Sequence, residues 1–517
     1  MSTSSGGWYA ILTVTIPIAG AIVIALLGEK QGRARLAVGI AAAVGPVLLV
    51  VQMLRLLGDG RPVTITAWQV GPILTLRFSA DRLGLLFAAV ASTLWVATTI
   101  YSHGYLAGGP NVRRFFSFLS LSLTATMGVA LAGNLFTLYI FYELLSLVTY
   151  PLVIHDQTRE AARSGRMYII YSLCGAALVL LGIVGTMALR GSLEFRPGGL
   201  LAGVEPSGLV SLTAACYIAG FGVKAAVMPL HGWLPQAMVA PTPVSALLHA
   251  VAVVKSGVFG ILRVLLFVFG KDLMAEAGIG AALSVVIAAS VLLGSISALR
   301  EDTLKRRLAY STISQLGYIT LGVTMLNAEA MAGGLVHLVN HAVMKIVLFF
   351  CAGIIITVTG RTKISQLDGI GRVMPRTMGC FALAALGMVG VPPVCGYVSK
   401  WYLLRGAVHA QQWPLVVVLV ASSFLNAAYF FPIVIRAFLR PYREDVPGLE
   451  PGGHGAGHAA GGHGPVGHGM HGAPAHSPGR EAPATMLWPV VLLALVTVAL
   501  GIWSAPLGFI ELLVKGL

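Results

Sequence analysis

Charge is what this chain has little of. Only 10% of its 517 residues are Asp, Glu, Lys or Arg, where an ordinary soluble domain carries about 25%. That deficit, with 57% of the residues hydrophobic, excludes a soluble globular domain and leaves an all-α polytopic membrane protein. Cysteine is scarce as well: Cys174, Cys216, Cys351, Cys380 and Cys395 lie inside apolar stretches with no metal-ligand spacing and read as small buried residues. A four-cysteine cluster motif, a dinucleotide glycine fingerprint and a haem ligand pattern are all missing, so the chain is not itself a redox catalyst and implies neither cofactor nor metal. The first apolar run, Trp8 to Leu27, lacks a preceding basic region and leads directly into further runs, so it reads as a span rather than a cleaved signal. A basic stripe is missing too. The formal net charge is +15, but the Lys and Arg residues are spread over short loops, which excludes nucleic acid as a partner.

What is present is a succession of apolar windows, each of the ~20 residues a helix needs to cross ~30 Å of hydrocarbon. They predict fourteen helices, starting near Trp8, Arg35, Asp81, Arg113, Asn134, Ala161, Ser207, Thr242, Asp272, Thr303, Ala328, Pro375, Gln411 and Ala484. Counted on alternate sides, the basic residues are unequal. Clusters such as Arg113-Arg114, Arg159 to Arg166, Arg300 to Arg307, Arg361 to Arg376 and Arg436 to Arg443 share one side, and the other holds fewer than half as many. The positive-inside rule then predicts both termini outside a bacterial-type inner membrane, with the loops after odd-numbered helices in the cytoplasm. Residues 442–484 break the apolar pattern with Gly, Pro and His, including His454, His458, His463, His468, His471 and His476. Such a composition cannot bury a core, and a disordered cytoplasmic linker is expected there. The variable spacing of its histidines offers no preorganised tetrahedral metal site.

Against this apolar background a few ionisable residues stand out, because a charge at bilayer depth costs roughly 2.5–3.5 kcal/mol and marks ion or proton paths. Glu143 lies mid-span with no opposite charge within two turns, so it needs a partner on another helix; Lys224 is the natural one. Lys224 precedes helix-breaking Pro229 and Pro235, whereas Lys400 follows Pro392-Pro393, the reverse order. Broken helices persist at membrane depth only where protein or a water-filled cavity satisfies the freed backbone groups, and their reversed polarity is what an inverted repeat gives. Lys255 lies between two apolar runs, six residues after His249. His337, His341 and Lys345 recur every four residues along one helix face, able to hold a chain of water, and imidazoles relay protons well at their unperturbed pKa of ~6.5.

Several longer runs carry a resemblance. Phe141-Tyr142-Glu143-Leu144, Lys224 to Pro235, Ala240 to Ala250, Lys305-Arg306-Arg307-Leu308-Ala309-Tyr310-Ser311-Thr312-Ile313-Ser314-Gln315-Leu316-Gly317-Tyr318 and His337-Leu338-Val339-Asn340-His341 resemble the antiporter-like membrane subunits of respiratory complex I and of the multisubunit Mrp Na⁺/H⁺ antiporters, over roughly residues 80 to 440. The resemblance implies two inverted five-helix repeats, helices four to eight and nine to thirteen, each with one broken helix. The expected organisation is 1–110 (helices one to three), 111–268 (first repeat), 269–441 (second repeat), the 442–484 loop, and 485–517 (the last helix). It also implies roles: Glu143 pairs with Lys224, Lys255 with His249, His337, His341 and Lys345 passes protons along the midplane, and Lys400 is the exit-side group.

Lysine rather than glutamate at position 400 fits the D-type Mrp subunit, and an ending at Leu517 lacks the long lateral helix of the largest complex I subunit. Gln236 departs from the family, which often has an acidic residue after Trp-Leu-Pro, so no role of that carboxylate transfers. The expectation is a proton-translocating subunit of an Mrp-type antiporter, with other membrane subunits, the bilayer, protons and Na⁺ as its partners. Two alternatives stand beside it: a proton-pumping subunit of a complex I-like redox complex, and a membrane subunit of an inorganic-carbon uptake system. A lysine-lined path repels metal cations, which favours protons through this subunit and puts a metal ion elsewhere in the complex.

Overall fold

The computed structural model describes residues 6–71, 74–443, 481–503 and 505–515, so the His-rich stretch expected as a loop lies, over 444–480, outside the described residues. The chain is mostly helical. In order it runs through α1 (Gly7–Leu26), α2 (Gly32–Gly58), the hairpin β1 (Thr64–Val70) and β2 (Leu74–Ser79), α3 (Arg82–Tyr105), α4 (Val112–Ala130), α5 (Leu135–Val153), α6 (Arg159–Arg190) and α7 (Gly208–Lys224). Then come α8 (Trp233–Gln236), a 3-10 turn (Ala237–Val239), α9 (Thr242–Ala250), α10 (Val253–Arg263), a π turn (Val264–Phe269), α11 (Gly270–Glu276), α12 (Ile279–Arg300) and α13 (Leu304–Thr324). The remainder is α14 (Ala328–Thr359), a 3-10 turn (Ile364–Gln366), α15 (Ile370–Val373), α16 (Pro375–Val389), α17 (Gly396–His409), α18 (Trp413–Leu439), α19 (Ala484–Ile502) and α20 (Ala505–Lys515). Among the described residues ten segments are long and apolar enough to cross a membrane, with Thr242–Glu276 as one of them. This is a multi-pass membrane protein.

Helix starts follow capping chemistry. Asp81, Asn134, Thr158, Ser207 and Asn327 each accept a hydrogen bond from the amide three residues on, satisfying one of the donors that a first turn leaves free. The ninth helix starts away from where the sequence predicts it. The sequence predicts a start near Asp272, but that residue belongs to the short α11, and the long helix starts at Ile279, after Gly278 enters the left-handed region at φ 66°. A hairpin that the apolar windows do not predict follows α2: β1 and β2 pair antiparallel from Thr64 opposite Ser79 to Val70 opposite Leu74.

The loops gather at two ends. At one, Phe78 bridges to Ala132, Asn134 bridges to Glu194, and Arg77 pairs with Glu194 at 2.9 Å. At the other, Thr303 bridges to Lys363, the Ser365 hydroxyl donates to Asp302 at 2.7 Å, and Asp368 sits between Arg436 (3.1 Å) and Arg440 (3.4 Å). Between the ends, α14 is the central column, packed against α3, α9, α13, α16, α17 and α19. Arg263 closes α10 in full burial, 2.6 Å from the Asp81 carboxylate and ringed by Phe195, Phe259 and Phe267. A buried guanidinium with a carboxylate partner anchors that end of α10 to the start of α3.

Candidate functional site

Two interrupted helix pairs frame the site. After α7 the chain leaves helical geometry and resumes at α8, and the groups freed by the break find protein partners: the Trp233 indole donates to the Val223 carbonyl at 2.7 Å, and the Met228 amide donates to the Ser290 hydroxyl at 3.0 Å. Between α16 and α17 the same accounting closes. The Cys395 amide donates to the Thr497 carbonyl at 2.9 Å, and the Asn340 side chain donates to the Cys395 carbonyl at 2.7 Å. Satisfied backbone is what lets such breaks persist inside a membrane. A third interruption, unmarked by proline or glycine in the sequence, separates α9 from α10 at Val251-Ala252 and lies between His249 and Lys255.

Lys224 is the last residue of α7 and fully buried. Its ammonium donates to the Tyr142 carbonyl and stands 3.4 Å from the centroid of the Tyr142 ring, a cation–π contact. Glu143 is half-buried on α5, flanked by the exposed Ile140 and Leu147, with Oε1 sequestered and unpartnered. The sequence led to an ion pair between these two residues. The structure brings them close enough for their charges to interact, but among the described ion pairs none joins them, because the ammonium is drawn onto the ring and carbonyl of the neighbouring Tyr142.

The remaining candidates converge on α14. Lys255, in the first turn of α10, donates to the Leu338 carbonyl at 3.2 Å, which places it between His337 and His341. Gly257 allows this approach. A Cβ there would stand 2.3 Å from the Ala225 amide nitrogen, so α10 lies directly on the backbone that follows Lys224. His249 Nδ1 meets Thr312 Oγ1 at 3.1 Å, and His337 Nδ1 meets Ser399 Oγ at 2.9 Å. The His337 and His341 rings are 5.9 Å apart. Lys345 donates to the Leu308 carbonyl at 2.8 Å and to the Ser311 hydroxyl. His249, Lys255, His337, His341 and Lys345 are each no more than 1% exposed.

Lys400 lies in α17, and its ammonium takes up two carbonyls that α16 leaves open at its end, Met388 at 2.8 Å and Val389 at 2.9 Å, plus the Ser423 hydroxyl at 3.2 Å. Gly390 next to them has φ 95°, and a Cβ there would come within 2.8 Å of the lysine stem. Lys400 opens onto a cavity of about 350 Å³ lined also by Tyr318, Trp401, Ser423 and Phe424. The Tyr318 ring is 5.2 Å from the Lys400 ammonium and 5.2 Å from the His337 ring, so it bridges the two.

Sequence reasoning assigned no role to Tyr318, Ser311, Thr312 or Gln315, all on α13. Neutral polar residues raise no alarm in an apolar window; the signal available was their spacing at three- and four-residue intervals along one helix face. Several polar atoms here are buried with no partner among the described residues: Nε2 of His249 and His337, both ring nitrogens of His341 and both amide atoms of Gln315. A seam of such atoms is suited to hold water, which needs two to four polar partners. Among the described residues, no three His, Cys, Asp or Glu side chains converge as a metal site does.

The family described as NADH:quinone oxidoreductase/Mrp antiporter, TM, matches residues 132–426. The chain belongs to this family. Subunit N of the NADH-quinone oxidoreductase of Desulforudis audaxviator is 36% identical over 416 residues, covering 79% of this chain and 78% of that protein. A chain of the Mrp complex from Dietzia sp. DQ12-45-1b superposes with a TM-score of 0.81 at 23% identity, covering 98% of this chain and 97% of that one. A chain of the membrane-bound sulfane sulfur reductase, an archaeal respiratory membrane complex, gives 0.81 at 24% identity, with 98% and 96% covered. At these identities both solved structures speak for the fold. The family match lies within the stretch whose motifs carried the resemblance.

Proposed function

We propose that this antiporter-family chain is the proton-translocating subunit of a multisubunit, Mrp-type cation/proton antiporter, closest to the D-type subunit. The observation that carries this reading is the convergence on α14 of five buried titratable groups, His249, Lys255, His337, His341 and Lys345, with no carboxylate among their hydrogen-bond partners in the described residues. Each ammonium is held by backbone carbonyls, which accept its hydrogen bonds without neutralising it. Glu143 and Lys224 form the input. When the carboxylate swings away, Lys224 loses its favourable field and yields a proton to the series, and like-charge repulsion in a low-dielectric interior moves charge from one lysine to the next. The proton passes Lys255 and the histidines and loads Lys400, whose cavity supports an exit role.

The arrangement around the relay follows. Adding α4, α7, α13 and the α16–α17 pair to the ten long spans gives fourteen, with inverted repeats over 111–268 and 269–441, each containing a proline-broken helix, between helices one to three (1–110) and the last helix (485–517). Both termini lie outside a bacterial-type inner membrane, and the 442–484 linker lies in the cytoplasm. Other membrane subunits flank the chain, and Na⁺ crosses elsewhere in the assembly, away from the lysines.

The test is Na⁺-driven proton exchange by the intact complex in vesicles. Glu143→Ala and Lys224→Ala are expected to abolish exchange while the complex still assembles on native gels; exchange at the parental rate in either variant sinks the mechanism. A second reading, a proton-pumping subunit of a complex I-like redox complex, is favoured by the 36% identity to a NADH-quinone oxidoreductase subunit. Mass spectrometry of the complex captured through this chain separates the two: iron–sulfur or quinone-reducing subunits would replace the antiporter reading.

A further inference from the structure

The run Lys305 to Tyr318 contains a residue that the relay above does not use. Lys305 is the second residue of α13, half-buried, and its ammonium donates 2.6 Å to the carbonyl of Ala240, which joins the Ala237–Val239 turn to α9. It sits at the loop end where Thr303 bridges to Lys363 and the Leu304 amide donates to the Thr362 carbonyl. The exposed Asp156, in the turn after α5, is the carboxylate whose charge acts on it. An exposed acid next to a half-sequestered ammonium is how a water-facing group hands protons inward.

What lies two turns deeper completes the connection. Thr312 follows Lys305 by seven residues on the same helix face. Its hydroxyl donates to the Leu308 carbonyl at 3.0 Å, which commits the hydroxyl proton and leaves the oxygen to accept from His249 Nδ1 at 3.1 Å. That hydrogen bond assigns the neutral His249 tautomer: Nδ1 carries the proton and Nε2 carries the lone pair. Nε2 is buried with no partner among the described residues, so it is free to accept a proton. Lys305 and Lys345 are the two cations whose charges reach this imidazole, one from the loop end and one from the midplane. Lys345 holds the same α13 turn, through the Leu308 carbonyl and Ser311, so the turn joins the outer lysine to the inner series.

We propose that Lys305 is the port through which the buried series exchanges protons with water at the loop end that carries Asp156, and that His249 Nε2 is its first acceptor. The Lys305 ammonium releases a proton, carried by intervening water, to Nε2; this leaves a neutral amine and an imidazolium. Water at the loop end reprotonates the amine, and the imidazolium passes its charge toward His341 and Lys345. The proposal rests on the proton-relay reading.

The experiment is Na⁺-driven proton exchange by the intact complex in vesicles, read with a pH-sensitive dye, for the parent, Glu143→Ala, Lys305→Met and Lys305→Arg. Exchange should fall at least tenfold in Lys305→Met, and equally in Lys305→Arg, because a guanidinium keeps the charge and the bond to Ala240 yet does not give up its proton. Parental exchange in Lys305→Arg would show that the residue only anchors α9 or supplies fixed charge, and would overturn the port. Should Lys305→Met fail to assemble on native gels, the Lys305→Arg rate decides alone. A parent that exchanges no Na⁺ for protons, or a Glu143→Ala variant as active as the parent, defeats the relay reading itself. An inactive Glu143→Ala beside a fully active Lys305→Met defeats only the port.

Discussion

A single imidazole outside the spans has a measurable consequence. His155 follows α5, is 5% exposed, and packs edge-on against Phe115 at 5.2 Å while the Arg114 guanidinium donates to its carbonyl at 2.8 Å. Its Nδ1 is buried without a partner among the described residues. Burial, and then the Arg114 charge, push its pKa from the usual 6.5 down to about 4. Between those two values the unfolded chain binds a proton here that the folded chain refuses, so stability falls as pH drops through that window and is fully present above 6.5. The loss is at most about 3.5 kcal/mol at about 1.4 kcal/mol per pH unit. In detergent, the parent should lose more of its thermal midpoint between pH 7.5 and 5 than His155→Phe does. Equal losses in the two proteins would mean that the ring takes up its proton in the folded state without penalty. The buried lysines of the site are handled differently. Their ammonium groups rest on the carbonyls of Tyr142, Leu338, Leu308, Met388 and Val389, so no proton is locked into an ion pair.

At the scale of elements, the site is made by interruptions of helices and by close contact between them. Gly257 is the sharpest case, since a methyl group on it would press on the Ala225 nitrogen at 2.3 Å and the Lys224 carbonyl carbon at 2.8 Å, backbone atoms that cannot swing aside. Gly257→Ala should therefore lift α10, loosen the hold of Lys255 on Leu338, cost about 1–3 kcal/mol, and lower transport together with the thermal midpoint. Gly379→Ala in α16 is the control, because no atom lies within 4 Å of its added Cβ and helix propensity favours alanine by up to about 1 kcal/mol. A Gly257→Ala variant that behaves like Gly379→Ala would show that α10 is not seated on the α7 break. Much of this layer could be read from sequence, because Asp81, Asn134 and Ser207 announce helix starts through their side-chain oxygens and Pro229 and Pro392 announce breaks. The break at Val251-Ala252 could not, as it carries neither proline nor glycine to announce it. The hairpin escaped for a related reason: the alternation in Thr64–Val70 is too short to stand out between apolar windows. The Glu143–Lys224 pairing followed from opposite charges alone, whereas the aromatic ring and carbonyl that hold the ammonium are a matter of how α5 and α7 face each other.

For the whole molecule, the unequal basic loops make one prediction about sidedness that requires no knowledge of the transported ion. α6 is a 32-residue helix, about 48 Å long at 1.5 Å per residue, more than enough to cross the bilayer. Its first turn carries Glu160 with Arg159, Arg163 and Arg166 close by, while past its other end lies the loop of 191–207, which pairs through Glu194 with Arg77. Lys305, Asp156 and the arginine-rich loops share the α6 start, so the side of that end decides which compartment the Lys305 port serves. Ala162 and Ala202 are exposed and flank the helix at opposite ends. With Cys174, the exposed native cysteine, replaced by alanine, Ala202→Cys should react with a membrane-impermeant maleimide on intact cells, and Ala162→Cys only after the membrane is opened. The reverse pattern would turn the whole chain over, place the termini in the cytoplasm, and make the Lys305 port an outward-facing one.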